Sequence, residues 1–152
     1  EDKKRKSDIE SFYAKKMTSF LRTLNVKNID FDSATKITRK VNDTGSDQPR
    51  AVLAYYLAFM LTVFEYSSAL TAPMIIDSPN QQDQDATNVA AMIDLIFSTR
   101  PDEGQTILGT VSLHDQVVKD GKIIELVDEL SVMSSAVYDD VLSTMTPALD
   151  QI

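Results

Sequence analysis

Two short apolar runs on either side of a helical segment constrain this fold more than any other feature of the sequence. The first run spans residues 72–77 (APMIID) and the second spans 105–113 (QTILGTVSL). Between them, residues 86–99 place apolar side chains at helical spacing. Two buried strands joined through a helix form a parallel pair with a right-handed crossover. The sequence therefore predicts an α/β fold in which parallel strands are flanked by helices.

The remaining secondary structure is predicted from periodicity and from capping signals. Helices are expected at 7–24, 50–67 and 134–150, and strands at 35–41 and 122–127. Residues 25–34 are expected to form a loop. Ser7 and Glu10 match a capping box at the first helix, and Ser46 or Asp47 suits the start of the second. The alternative, a small helical bundle without a ligand, would contain almost no parallel sheet.

Composition limits the chemistry that the chain can carry. It has 152 residues, no cysteine and one histidine, which excludes a disulfide scaffold, a cysteine zinc site and a multi-histidine metal centre. The longest apolar stretch, residues 51–64, is shorter than the roughly 20 residues needed to cross a bilayer. We therefore expect one domain over 1–152, no membrane partner and a reducing, cytoplasmic location.

Charge is unevenly distributed along the chain. The net charge is −8, yet residues 1–27 contain eight basic and four acidic side chains. Residues 51–152 contain only three basic side chains against fifteen acidic ones. A basic start can contact nucleic-acid phosphates, so DNA is a possible partner through Lys3, Lys4, Arg5 and Lys6. The alternative is an ordinary solvated helix face.

Asp77 and His114 are the first candidate functional residues. Asp77 ends the first apolar run and His114 follows the second. Parallel strands end at the same edge of a sheet, and open α/β sheets bind ligands at that edge. A carboxylate there can hold hydrated Mg²⁺, and a histidine can hydrogen-bond a phosphate or water. The alternatives are a turn-capping aspartate and an ordinary loop histidine.

A second candidate site precedes the helix at 50–67. The loop Thr44-Gly45-Ser46-Asp47 combines a glycine with hydroxyl side chains. Free N–H groups and the positive end of the helix dipole make such a position suitable for an anion. The alternative is an ordinary helix cap.

The order of these features resembles the C-terminal lobe of an ABC-type ATPase head. The nearest branch is the structural-maintenance-of-chromosomes and double-strand-break-repair class, in which a long coiled coil interrupts the head. The resemblance covers about residues 40–130. It implies a partial P-loop-NTPase-type sheet in 35–152, and a helix in 1–24 that continues from the coiled coil.

The resemblance also implies roles for particular residues. The family's signature motif, which binds the γ-phosphate of ATP held by a partner head, is matched by Thr44, Gly45, Ser46, Asp47 and Arg50. Asp77 matches the Walker B aspartate that binds Mg²⁺, and His114 matches the switch histidine. Residues 80–85, with Asp85 among the cofactor-binding candidates, match the D-loop that crosses the dimer interface.

Two departures from the family pattern affect the expected mechanism. Ser78 occupies the position where the family has a catalytic glutamate, and a serine cannot act as a base at neutral pH. Gln81 or Gln82 is the candidate to position water instead, with Asp83 or Asp85 as the acid. The chain also contains no G-x-x-x-x-G-K-[S/T] phosphate loop, so an N-terminal lobe or another chain must supply it.

The expected function is therefore that of half an ATP-hydrolysing head. Two heads would dimerise around ATP and drive coiled-coil movement on DNA, in repair, chromosome maintenance or defence against foreign DNA. The chain would be inactive by itself and active as part of a full-length ATPase. The alternative is a non-catalytic interaction module that keeps the ATPase fold.

Overall fold

The structure is a computed structural model that describes residues 2–38, 47–68, 72–79, 84–100, 104–126 and 135–149. These residues form a mixed α/β fold with five helices and a two-stranded parallel sheet. In chain order the elements are α1 (Asp2–Thr23), α2 (Phe31–Ala34), α3 (Gln48–Tyr66), β1 (Met74–Asp77), α4 (Ala86–Ser98), β2 (Thr106–Gly109) and α5 (Ser135–Leu149). The chain divides into two compact units, Glu1–Val117 and Val118–Ile152.

Helix α1 is longer than the sequence predicts and ends in a well-defined cap. It begins at Asp2, so Ser7 lies inside the helix and the predicted capping box is wrong. The lysines and arginine before Ser7 have good helix propensity and extend the helix toward the N-terminus. At the other end, Asn25 adopts a left-handed conformation with φ 52°, and the Val26 amide donates to the Leu21 carbonyl at 2.9 Å. This Schellman-type cap turns the chain sharply away from the helix.

The predicted strand at 35–41 is wrong where the structure describes it. Asp30 accepts hydrogen bonds from the Asp32 and Ser33 amides and starts the short helix α2 within the predicted loop. Thr35 then ends that helix, and residues 35–38 form turns. A local carboxylate cap therefore outweighs the β-branched composition of this segment. Residues 39–41 lie outside the described residues.

The core of the first unit lies between α1, α3 and α4. Its fully buried side chains include Tyr13, Met17 and Leu21 of α1, Leu57 of α3 and Ile96 of α4. These residues recur at three- and four-residue spacing on their helices, which is why one face of each helix is buried. Helix α3 begins at Gln48, two residues before the predicted start, with Pro49 in its first turn.

The sheet confirms the predicted parallel pair. Met74 lies opposite Thr106 and Asp77 lies opposite Gly109. The Met74 amide donates to the Gln105 carbonyl and the Ser78 amide to the Gly109 carbonyl, both at 2.9 Å. Inner-face residues such as Ile76 pack against the core. The described strands are shorter than the apolar runs: β2 ends at Gly109 and not near 113.

The outer face of this sheet is exposed. Ile75 and Ile107 are paired in register on that face, with 71% and 44% of their surfaces accessible. Parallel sheets are normally covered on both faces. Two apolar side chains exposed side by side are therefore unusual for a sheet of this kind.

In the second unit, the predicted helix at 134–150 is confirmed as α5. The predicted strand at 122–127 is wrong over its described part, since residues 122–126 are irregular and exposed. Ile123 and Ile124 have strand propensity, but none of the described residues pairs with them in a sheet. Without a partner strand, propensity alone does not form a ladder.

Candidate functional site

The carboxyl end of β1 presents the predicted aspartate to solvent. Asp77 is exposed, and its Oδ1 accepts a hydrogen bond from the Ser78 hydroxyl at 3.0 Å. Ser78 has φ 49°, the left-handed region that non-glycine residues rarely occupy. Gly109 lies opposite Asp77, and a Cβ there would come within 3.2 Å of the Asp77 Oδ1. Because Gly109 has no side chain, it does not crowd the Asp77 carboxylate.

The loop after β2 contains His114, which is farther from the strand end than the sequence indicates. The Thr110 hydroxyl donates to the Ser112 carbonyl at 2.8 Å, and the Ser112 hydroxyl accepts from the His114 amide at 3.1 Å. These bonds fold residues 110–114 into a compact turn. Because β1 and β2 are parallel, this turn leaves the same edge of the sheet as Asp77 and Ser78.

Positive φ angles occur in the segments that follow both strands. Among the described residues, Asn25, Ser78, His114 and Asp115 are the non-glycine positions with positive φ. Three of these follow the carboxyl ends of the two strands. Left-handed conformations at non-glycine residues cost free energy and persist where the surroundings enforce them, often at functional sites.

The start of α3 contains a buried ion pair. Asp47 occupies the N-cap position, yet its side chain does not cap the helix. Its Oδ2 accepts from the backbone amides of Lys27 at 2.9 Å and Asn28 at 3.1 Å. Its Oδ1 accepts from Nη2 of Arg50, one turn along the helix. Asp47 and Arg50, which are 6% and 3% exposed, thus join α3 to the segment that follows α1.

The surroundings of Asp47 keep it ionised. Burial alone would raise the pKa of this carboxyl, because it penalises the charged form. The two backbone amides and the Arg50 guanidinium outweigh burial, and together they lower the pKa. Asp47 is therefore a carboxylate at neutral pH, and its charge is balanced by Arg50.

Arg50 has more hydrogen-bonding capacity than the described residues use. Its Nε and Nη1 are buried and have no hydrogen-bond partner in the described part of the chain. A buried N–H without an acceptor costs about 1–3 kcal/mol, so such groups call for an explanation such as a bound ion or water. Two donors at the first turn of a 19-residue helix are suited to an anion.

A groove connects the start of α3 with the strand edge. It has a volume of about 390 Å³ and extends from Pro49 to Asp77 and Ser78. Most of its lining is apolar, including Tyr56 and Phe59 of α3. Asp77 and Ser78 lie at one end of this mostly apolar concave surface, whereas Asp47 and Arg50 are not among its lining residues.

Several predicted site residues lie outside the described residues: Thr44, Gly45, Ser46, Gln81, Gln82 and Asp83. Asp85 is described and acts as the N-cap of α4, accepting from the Asn88 amide at 2.9 Å and from its side-chain nitrogen at 2.7 Å. Its carboxylate is therefore engaged in helix capping.

At this edge the described residues offer one carboxylate, that of Asp77, to a metal ion. No group of three or more potential metal-ligating side chains occurs among the residues that the structure describes. Mg²⁺ commonly keeps several waters and takes one or two carboxylates together with phosphate oxygens, so the exposed Asp77 fits that requirement. A substrate phosphate would have to supply further ligands.

Sequence reasoning located Asp47 and Arg50 through the loop that precedes α3, but it missed their roles in the fold. The contact of Asp47 with Lys27 and Asn28 spans about 20 residues and has no local signal in the sequence. The role of Gly109 was also missed, although a glycine within an apolar strand is a known sign of close approach.

Comparison with protein-family models, curated proteins and solved structures finds no match to this chain. Among the described residues, no helix is long and apolar enough to cross a membrane.

Proposed function

We propose that this chain is the C-terminal lobe of an ATP-binding head and that it contributes half of a nucleotide site. The observation that carries the proposal is the buried Arg50 guanidinium, whose Nε and Nη1 have no acceptor among the described residues. A phosphate oxygen is an acceptor for either nitrogen and is favoured by the α3 dipole. The resemblance of residues 44–50 to a signature motif supports a triphosphate held by a partner head.

Asp77 has the second role in this proposal. Its exposed carboxylate at the end of a parallel strand is placed to hold Mg²⁺ through water, and the metal would neutralise charge on the phosphates. Ser78 donates to Oδ1 and orients the carboxylate, but it supplies no base. We therefore expect slow hydrolysis, with Gln81 or Gln82 positioning water and His114 contacting phosphate.

The exposed outer face of the sheet supports a partner lobe. Ile75 and Ile107 present apolar surface that a covering layer would bury. The lobe that carries the phosphate loop is the partner we propose for this face, since the chain has no such loop of its own. A second head would then complete the site around ATP.

Helix α1 supplies the proposed contact with DNA. Lys4, Lys15 and Arg22 are exposed and are separated by 11 and 7 residues, which places them on one face of the helix. Arg5 donates instead to the Tyr66 carbonyl at 3.0 Å, and Lys6 lies 3.9 Å from Glu10. The outer face of α1, and not the whole initial basic cluster, is thus the surface available to phosphates.

The test uses the natural protein that contains this segment. We expect Asp77→Asn to reduce Mg²⁺-dependent ATP turnover at least about tenfold, in line with loss of one metal-ligand interaction. Asp94→Asn is the matched control, because Asp94 is an exposed carboxylate on α4, away from the strand edge. Turnover that is equal in both variants would remove Asp77 from the mechanism.

A non-catalytic interaction module remains the second candidate. Two observations favour it: Ser78 stands where the family has a catalytic base, and Ile75 and Ile107 are exposed side by side on the sheet. This candidate predicts that the natural protein shows no saturable, Mg²⁺-dependent ATP binding. Saturable binding that Arg50→Lys weakens would exclude it.

A further inference from the structure

One carboxylate joins the candidate phosphate site to the end of α1. Asp47 neutralises Arg50 through Oδ1, while its Oδ2 accepts hydrogen bonds from the Lys27 and Asn28 amides. Those two amides directly follow the Schellman-type cap, in which Asn25 has φ 52° and Val26 is buried. The Asp47 side chain therefore has two roles: it balances the charge of Arg50, and it anchors the turn that follows α1.

A bound anion would change the charge balance between Asp47 and Arg50. Nε and Nη1 of Arg50 have no acceptor among the described residues, and Nη2 is already paired with Asp47. Both nitrogens are buried, so a phosphate reaches them only when the surrounding residues open. The phosphate and Asp47 would then share one positive charge in a buried setting, where like charges repel strongly. The repulsion is relieved when the carboxylate moves away from Arg50, and that movement withdraws it from the Lys27 and Asn28 amides.

We propose that Asp47 couples the occupancy of the Arg50 site to the turn that follows α1, so that anion binding releases this turn. The inference rests on the proposed function, because it assigns a regulatory link to the same phosphate site. Coupling of this kind is reciprocal: a pinned turn disfavours the anion by the same factor as the anion disfavours the pinned turn. Asp47 is a positioning residue in this scheme, and Arg50 is the binding residue.

The first experiment measures hydrogen exchange of the Lys27 and Asn28 amides by NMR, with and without inorganic tripolyphosphate. We expect tripolyphosphate to bind and both amides to exchange at least about fivefold faster, because their acceptor is withdrawn. The Asp32 and Ser33 amides are the internal control, because they donate hydrogen bonds to the Asp30 carboxylate in the same way. Their exchange rates should not change. Unchanged exchange at Lys27 and Asn28 in the bound state would overturn the proposal.

The second experiment separates coupling from simple orientation of Arg50. Asp47→Asn removes the repelling charge and keeps an oxygen that can accept the two amides, so tripolyphosphate should bind at least about tenfold more tightly. If Asp47 served only to orient Arg50, the same variant would bind more weakly. Asp30→Asn is the matched control and should leave binding unchanged. If Asp47→Asn does not fold, hydrogen exchange of the Lys27 and Asn28 amides in the unmutated chain still tests the proposal.

Titration of ATP with Mg²⁺ alongside tripolyphosphate distinguishes the two proposals. Tripolyphosphate binding with faster amide exchange, but without any preference for ATP, would support the coupling and contradict the nucleotide assignment. ATP binding without a change in amide exchange at Lys27 and Asn28 would support the nucleotide assignment and contradict the coupling. Failure of tripolyphosphate to bind would overturn the coupling, and ATP binding measured in parallel would then judge the proposed function separately.

Discussion

Gly109 lies directly opposite Asp77 in the parallel ladder, and a Cβ at position 109 would come within 3.2 Å of the Asp77 Oδ1. That distance is tighter than ordinary van der Waals contact, so an added Cβ would require the Asp77 carboxylate to shift by a few tenths of an ångström. The glycine on β2 therefore lets the aspartate on β1 keep its observed position without that shift.

Gly109→Ala should reduce function without unfolding the protein. We expect the free energy of unfolding to change by less than about 1 kcal/mol, because alanine also restricts the unfolded chain. ATP turnover of the natural protein should fall, since the Asp77 carboxylate is pushed out of place. The measurement is turnover in a cycle with Asp77→Asn: adding Gly109→Ala to that variant should cause no further loss. Additive losses would mean that Gly109 acts independently of Asp77.

The Asp47–Arg50 pair should make stability depend on pH in the acid range. The folded pKa of Asp47 is lowered, whereas an unfolded aspartate titrates near about 3.9. Its contribution is therefore complete above the unfolded pKa and is lost as the pH falls through the folded one. Urea unfolding of the unmutated chain and Asp47→Asn at a series of pH values measures this, and the difference between them should shrink in acid.

At neutral pH, breaking the Asp47–Arg50 pair should lower the free energy of unfolding. Asp47→Ala leaves the buried Arg50 charge without its partner, and removing one member of a buried pair costs about 3–5 kcal/mol. The Lys27 and Asn28 amides lose their acceptor as well. A loss below about 1 kcal/mol would show that the pair is solvated and contributes little.

Tyr13 should determine stability in the alkaline range. Burial, with a smaller contribution from Tyr55, raises the pKa of Tyr13 to about 12. An unfolded tyrosine ionises near about 10, so the folded state is favoured below that pH and loses this advantage as the pH rises toward 12. Absorbance titration at an ultraviolet wavelength specific for tyrosinate should show one late-ionising group that Tyr13→Phe removes.

Four of the five described helices and the parallel pair could be predicted from the sequence because local periodicity determines them, whereas α2 lies in a predicted loop. The spacing of Tyr13, Met17 and Leu21 marks a buried face, and the run that ends at Asp77 marks a strand. The expectation that this strand is buried is wrong, because β1 alternates between half-buried and exposed residues. The predicted strand is wrong over its described residues 35–38, because the Asp30 cap starts α2 just before them and Thr35 ends that helix. Propensity at Ile123 and Ile124 likewise required a partner strand that the described residues do not supply.

The candidate site was only partly predictable for the same reason. Asp77 follows directly from the end of a strand, so its place at the sheet edge is a local consequence of the sequence. The link from Asp47 to Lys27 and Asn28 depends on how α1 and α3 pack, and no local pattern encodes it. Burial of the Arg50 guanidinium is also a tertiary property, since arginine is usually exposed.

Neutralising the outer face of α1 should weaken DNA binding in a salt-dependent manner. The triple variant Lys4→Gln, Lys15→Gln and Arg22→Gln removes three exposed positive charges from one helix face. Each lost phosphate contact should reduce the magnitude of the slope of log K against log[salt] by about 0.9, or roughly 2–3 in total. The matched control neutralises Lys36, Lys119 and Lys122, which are exposed elsewhere. Equal slopes for the two triple variants would exclude α1 as the contact surface.

The exposed sheet face gives a test of the proposed partner lobe that does not depend on nucleotide chemistry. Ile75→Ser and Ile107→Ser together remove the apolar pair from the outer face of β1 and β2. Because Ile75 is 71% and Ile107 44% exposed, the unfolding free energy of this chain should change little, by about 0.5 kcal/mol per site. In the natural protein, by contrast, a covering layer would pack against both residues, and each truncation would then cost about 1–3 kcal/mol. Thermal unfolding of both proteins with and without the substitutions measures the difference. A destabilisation confined to the natural protein supports a lobe on this face, whereas equal effects in both would show that the face is solvent-exposed in the whole protein as well.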